Sequence, residues 1–88
     1  MIKKRVKIVN RAGLHTRPAA MIVKIASKYK SQFFISKDGY KINGKSIIGV
    51  MTLAAAQGSE LDLDFEGVDE ANMSDEVCTF FERGFEEL

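Results

Sequence analysis

Glu60-Leu61-Asp62-Leu63-Asp64-Phe65-Glu66 alternates without a break. Leu61, Leu63 and Phe65 fall on one side and four carboxylates on the other, which is the two-residue period of a half-buried strand. The polar face of this strand is wholly acidic. Near the start of the chain, Ile2 to Val9 alternates in the same way with the opposite sign. Ile2, Val6 and Ile8 share one side, broken only by Lys4, and Lys3, Arg5 and Lys7 share the other. Kept apart, each polar face repels itself. Set side by side, the two form a ladder of opposite charges, each pair contributing about 0.2–1 kcal/mol. The two strands are therefore predicted to be neighbours. Their pairing also accounts for an uneven charge distribution. Residues 1–45 carry twelve Lys or Arg and one acid (Asp38), residues 46–88 carry one base (Arg83) and eleven acids, and the net charge is only +1.

Between these strands, Gln32 to Lys37 and Tyr40 to Asn43 flank Asp38-Gly39, a two-residue hairpin signal, so they form an antiparallel pair. Thr16 to Lys28 has the spacing of a helix, with Ala19, Ile22, Val23 and Ala26 on its core side. Ser46 is a good N-cap for a short helix through Ile47, Ile48, Val50 and Met51. That helix has apolar residues around much of its circumference, which predicts an exposed apolar patch. After Gly67-Val68, Asp69 can cap a last helix whose stripe is Met73, Val77, Phe80 and Phe81, with Gly84 as its stop. The order is βαββαβα. With polar outer strand faces, the helices are expected on one side only of a four-stranded antiparallel sheet, an α+β open-faced sandwich.

The only histidine and the only proline of the 88 residues lie together in Gly13-Leu14-His15-Thr16-Arg17-Pro18-Ala19. Pro18 marks a helix start, because its fixed φ suits the first turn and its missing N–H would be unpaired there anyway. His15 is thus placed among backbone N–H groups that have no intrahelical partner and attract anions. Arg17 adds a planar cation suited to phosphate oxygens. A nucleophilic imidazole, an anion cradle and a counter-charge point to a histidine that carries a phosphoryl group. Against this stands the plain alternative of a polar surface histidine at a helix start.

At 88 residues and 45% hydrophobic, the chain suits one domain, residues 1–88, with a modest core. No apolar run approaches the roughly 20 residues needed to span a membrane. Charges at the start have no apolar signal core behind them, so secretion is not indicated and a cytoplasmic location is expected. Cys78 has no partner for a disulfide, and one histidine with one cysteine gives no metal cluster; a packed thiol is expected.

The stretch from Gly13 to Ala19, together with Lys45-Ser46-Ile47-Ile48-Gly49-Val50-Met51, resembles HPr, the histidine-containing phosphocarrier of the bacterial phosphoenolpyruvate-dependent phosphotransferase system. Length, element order, the turn from Ala55 to Gly58 and the helix opening at Asp69 extend the resemblance over nearly the whole chain. It implies four antiparallel strands with three helices on one face, the first and fourth strands adjacent. It implies a stoichiometric carrier and not an enzyme, needing no cofactor or metal. Phospho-enzyme I would transfer its group to the pros nitrogen of His15, and an EIIA-type protein would receive it. Thr16, Arg17 and Pro18 would hold the phosphate. Thr16 stands where the family often has alanine, and its hydroxyl either helps the phosphoryl group or merely caps the helix.

Ser46 resembles the serine phosphorylated by HPr kinase, which would make it a regulatory site and imply a transcriptional regulator as a further partner. Ile48 departs from the more usual methionine or phenylalanine. The expected docking face joins Arg17, Ala20 and Lys24 to Ile47, Ile48 and Met51, an apolar centre with a basic rim; the alternative for its apolar members is ordinary packing between helices. A monomer is expected. A second reading keeps the fold but gives a regulatory protein, either of the nitrogen-related branch or a transcriptional co-regulator, uncoupled from sugar transport. The ending from Phe81 to Glu87 is the cue for the former, and Ser46 is the cue for the latter. A nucleic-acid module, prompted by the basic first half, lacks interleaved aromatics on a basic face and is opposed by the acidic strand.

Overall fold

A computed structural model describes residues 1–87. Its elements are β1 (Ile2–Lys7), α1 (Thr16–Ala26), β2 (Gln32–Lys37), β3 (Tyr40–Asn43), α2 (Ile47–Thr52), β4 (Glu60–Glu66) and α3 (Glu70–Glu82), followed by a 3-10 turn over Gly84–Glu86. The sheet order is β1-β4-β2-β3, with every pairing antiparallel. The first and last strands are therefore neighbours, in a register that sets Lys3 opposite Asp64, Arg5 opposite Asp62 and Lys7 opposite Glu60. The charge ladder is real. Arg5 donates to Asp62 through Nε at 3.0 Å and Nη2 at 3.3 Å, and Lys3 Nζ lies 3.4 Å from Asp64.

The three helices cover the opposite face. Val6, Ile35, Leu61, Leu63 and Phe65 point into the core from the sheet, with Phe33 stacked on Phe65 at 4.8 Å between ring centroids. Ala19, Ile22 and Ala26 of α1, Val50 of α2 and Met73, Val77, Phe80 and Phe81 of α3 complete it. Val23 is only half-buried at its margin. Burying each large apolar side chain is worth about 1.5–3 kcal/mol, which is what holds helices this short in place. Phe34, on the outer face, lies under Lys41, whose Nζ is 5.0 Å from the ring centroid, so it packs against a neighbouring side chain of the sheet. Cys78 is half-buried, and burial pushes its thiol up.

Three expectations need correction. α1 ends at Ala26 and not at Lys28, because Lys28 N–H and Tyr29 N–H bond three residues back, to Ile25 O and Ala26 O, in a tightened turn. β1 ends at Lys7 and not at Val9. Asp69 sits at the N-cap position of α3 but makes no capping bond. Its carboxylate instead accepts from the N–H groups of Lys30 and Ser31 and from the Ser31 hydroxyl. The Ser31 hydroxyl first, and the backbone N–H groups with it, lower its pKa to about 2. Glu70 takes over part of the helix start, accepting from Gly67 N–H at 3.1 Å. α3 stops before Gly84, which has φ +60.

Candidate functional site

His15 is the N-cap residue of α1, with extended backbone (φ −105°, ψ −169°), and its carbonyl accepts the first helical bond, from Ala19 N–H at 3.0 Å. Pro18 is thereby the third residue of the helix, where no N–H is required, and it is buried. Thr16 and Arg17 are exposed and their N–H groups belong to the open first turn. The His15 side chain is 40% exposed.

The loop that delivers His15 is fixed by its far side. Leu14 is buried and its N–H donates to Ala55 O at 2.8 Å. Gly13 has φ +75, and a Cβ there would stand 2.7 Å from Ala55 O. Glycine is required on both counts.

Glu87 completes the site, and nothing in the sequence announces it. Both of its carboxylate oxygens lie 3.0 Å from His15 Nε2. Arg17 Nη1 is 3.7 Å from Oε2 and Asn10 Nδ2 donates to Oε1 at 3.0 Å. Hydrogen bonding to His15 chiefly, with the Asn10 bond and the charge of Arg17, holds the Glu87 carboxyl below its usual range. A shallow cleft lined by Arg11, Ala12, His15, Arg17, Glu86 and Glu87 opens the imidazole to solvent. Only sequence positions 72 apart would have to be linked to foresee the contact, and no local pattern does that.

Ser46 is the N-cap of α2, half-buried, its Oγ accepting from Gly49 N–H at 3.1 Å. Lys45 is not turned to Ser46; its Nζ donates to Tyr29 O at 2.7 Å and so ties the start of α2 to the end of α1. Val50 of α2 and Leu53 just after it do the packing, whereas Ile47, Ile48 and Met51 are exposed, Ile48 to 78%. Ala20 and Lys24 of α1 are exposed as well. Among the described residues no group of three or more His, Cys, Asp or Glu could hold a metal ion, and no helix is long and apolar enough to cross a membrane.

Fold and site define a class: open-faced sandwiches that present one histidine, flanked by an arginine, at the start of their first helix. The family model described as PTS HPr component phosphorylation site matches residues 2–83, and the chain belongs to this HPr family of the phosphotransferase system. It is 46% identical over 87 residues to phosphocarrier protein HPr of Treponema pallidum, covering 99% of each chain. It is 42% identical to HPr-like protein Crh of Halalkalibacterium halodurans, covering 94% of this chain and 99% of that one. Its structure is similar to HPr-C-His from Thermoanaerobacter tengcongensis at a TM-score of 0.95, with 41% identity and 100% and 99% coverage. An HPr dimer from the same organism matches at 0.77, covering 97% of this chain and 98% of that one.

Proposed function

We infer that the chain is a phosphocarrier: His15 accepts a phosphoryl group from phospho-enzyme I at its pros nitrogen, Nδ1, and yields it to an EIIA-type protein on the way to a sugar. The observation that carries this is the placing of a half-exposed imidazole at the open first turn of α1, with Arg17 beside it and Pro18 shaping the turn. N–H groups of that turn and the Arg17 guanidinium favour the added negative charge. Thr16 is the remaining phosphate-binding candidate. The chain is consumed and regenerated one phosphoryl group at a time, so its chemistry is that of a carrier and not of a catalyst. Residues 1–88 act as a single HPr domain, monomeric and cytoplasmic, without nucleic acid as a partner.

Ala20, Lys24, Ile47, Ile48 and Met51 form the docking face in this reading. The exposure of Ile48 supports it, since Val50 and Leu53 already satisfy the packing of α2. Ser46, at the edge of that face, is the proposed target of HPr kinase. A phosphate there sets negative charge beside a surface that must meet acidic partners, and it would serve a transcriptional regulator as its signal. Similarity to an HPr-like protein Crh keeps the purely regulatory reading as the second one.

Incubating the chain with labelled phosphoenolpyruvate and enzyme I should label it, and His15→Ala should abolish the label. A second incubation with ATP and HPr kinase should add a phosphate at Ser46. An unlabelled wild-type chain in the first step would refute the phosphocarrier reading; label at Ser46 only would favour the regulatory one.

A further inference from the structure

The contact between Glu87 and His15 is maintained at a cost in two places. Asn10 is 5% exposed, and its Oδ1 has no hydrogen-bond partner among the described residues. Turning the amide over would bring that oxygen against Gly13 O and Glu87 Oε1, both acceptors, so the NH2 group must face them, at 2.9 and 3.0 Å. An orphaned buried amide oxygen is unfavourable, and an apolar side chain would avoid it. The second cost is in the backbone. Phe85 and Glu86 lie at φ 58 and 61, in the left-handed region that side chains avoid. The Phe85 ring is buried 5.3 Å from that of Phe80 and 5.1 Å from that of Phe81, which pins the strained turn and delivers Glu87 to the histidine. Strain and unsatisfied groups of this kind gather where function holds them.

We propose that Glu87 is the positioning carboxylate of the phosphoryl-accepting imidazole, and that Asn10 acts through it by holding Glu87 in place. The proposal deepens the phosphocarrier reading and rests on it. An ionised carboxylate can only accept, so His15 Nε2 must be the donor and bear the proton. The lone pair is then on Nδ1, to which no described residue is hydrogen-bonded. Attack by that lone pair forms the Nδ1–P bond as the donor's own bond to phosphorus breaks, and the donor atom keeps the electron pair of the broken bond. The ring, now bonded to phosphorus at Nδ1 and to hydrogen at Nε2, carries a positive charge that faces Glu87. When the group moves on, the electron pair of the Nδ1–P bond returns to Nδ1 and the ring is neutral again. No proton need enter or leave in either direction. That suits a carrier that must accept and release with equal ease. Arg17 is bound to Glu87 only loosely, at 3.7 Å with its side chain 79% exposed, and is free to turn to the phosphoryl oxygens.

The test compares the wild-type chain with Glu87→Ala, Glu87→Gln, Asn10→Ala and the Asn10→Ala/Glu87→Ala double variant. Long-range 1H–15N spectra of the neutral His15 ring report which nitrogen bears the proton, and stopped-flow transfer from phospho-enzyme I reports the rate. The wild type should show the proton on Nε2. Glu87→Ala should shift the pattern toward an average of both tautomers and slow transfer about tenfold, the lower end expected when an outer partner that orients an imidazole is removed. Glu87→Gln, which keeps an accepting oxygen but not the charge, should be slowed with less change in tautomer. Asn10→Ala should slow transfer in the wild-type background and add nothing once Glu87 is gone. Unchanged spectra and rate in Glu87→Ala would overturn the proposal, as would an Asn10→Ala effect of the same size with and without Glu87. A wild type that takes no phosphoryl group would instead overturn the phosphocarrier reading, and the ring spectra would still judge where Glu87 places the proton.

Discussion

Gly13→Ala tests how the histidine loop is held, and Gly39→Ala is its control. Both glycines have positive φ, +75 and +83, where an alanine costs about 1–2 kcal/mol. The gain of alanine over glycine in the unfolded chain is common to both and cancels. The sites differ in space. A Cβ at Gly39 meets nothing within 4 Å, whereas one at Gly13 lies 2.7 Å from Ala55 O and 3.1 Å from Ala56 Cα. Both neighbours are backbone and cannot swing aside. Relief would have to stretch the 2.8 Å bond from Leu14 N–H to Ala55 O, which anchors the residue before His15. Forcing such an overlap costs about 1–3 kcal/mol. Gly13→Ala is therefore expected to be about 1–3 kcal/mol less stable than Gly39→Ala in urea unfolding followed by circular dichroism. At about 4–8 °C per kcal/mol, that separates the two melting temperatures clearly. Gly13→Ala should also slow labelling of His15, and Gly39→Ala should not. Equal destabilisation of the two variants would refute the argument that close approach, beyond φ, dictates glycine at position 13.

Asp64 is only 14% exposed and lies 3.4 Å from both Lys3 Nζ and Lys41 Nζ, joining both edge strands to β4. Asp64→Lys should destabilise by about 1–2 kcal/mol through lost pairs and new like-charge contacts, and a gap in urea midpoint that salt at about 1 M leaves untouched would contradict the ladder. Asp69 titrates near 2 in the folded chain against an ordinary 3.8, a depressed value, so its contribution is complete above 3.8 and is lost as pH falls toward 2. The stability gap between wild type and Asp69→Asn should accordingly be constant at neutral pH and close over that acid window; a gap that persists at pH about 2 would count against the Ser31 and Lys30 bonds as its cause.

The sheet was legible because its information is local or sums over many residues. The alternation in Glu60–Glu66 names the buried face, Asp38-Gly39 names the hairpin, and opposite charge on the outer faces names the pairing of β1 with β4. The start of α1 was legible from Pro18 for a similar reason, since a missing N–H restricts where it can stand. Asp69 misled because an acid before a helix reads as a cap, while its true partner Ser31 is 38 positions away. Element ends moved by two residues where three-residue bonds replaced helical ones, as at Lys28 and Tyr29. Glu87 and Asn10 were beyond reach for the strongest reason: their meeting depends on the strained turn at Phe85 and Glu86, which exists only once Phe85 is buried beside Phe80 and Phe81.

The central claim, that His15 both takes and gives a phosphoryl group, is tested most directly by following one group through the chain. Phosphorylated chain, prepared with enzyme I and phosphoenolpyruvate and then freed of both, is mixed with an EIIA-type acceptor. The phosphate on each partner is mapped by mass spectrometry under conditions that preserve phosphohistidine. The account predicts phosphate on His15 alone at the start and its stoichiometric appearance on the acceptor. Phosphate found on another residue of the chain, or retained on His15 while the acceptor stays unlabelled, would contradict it.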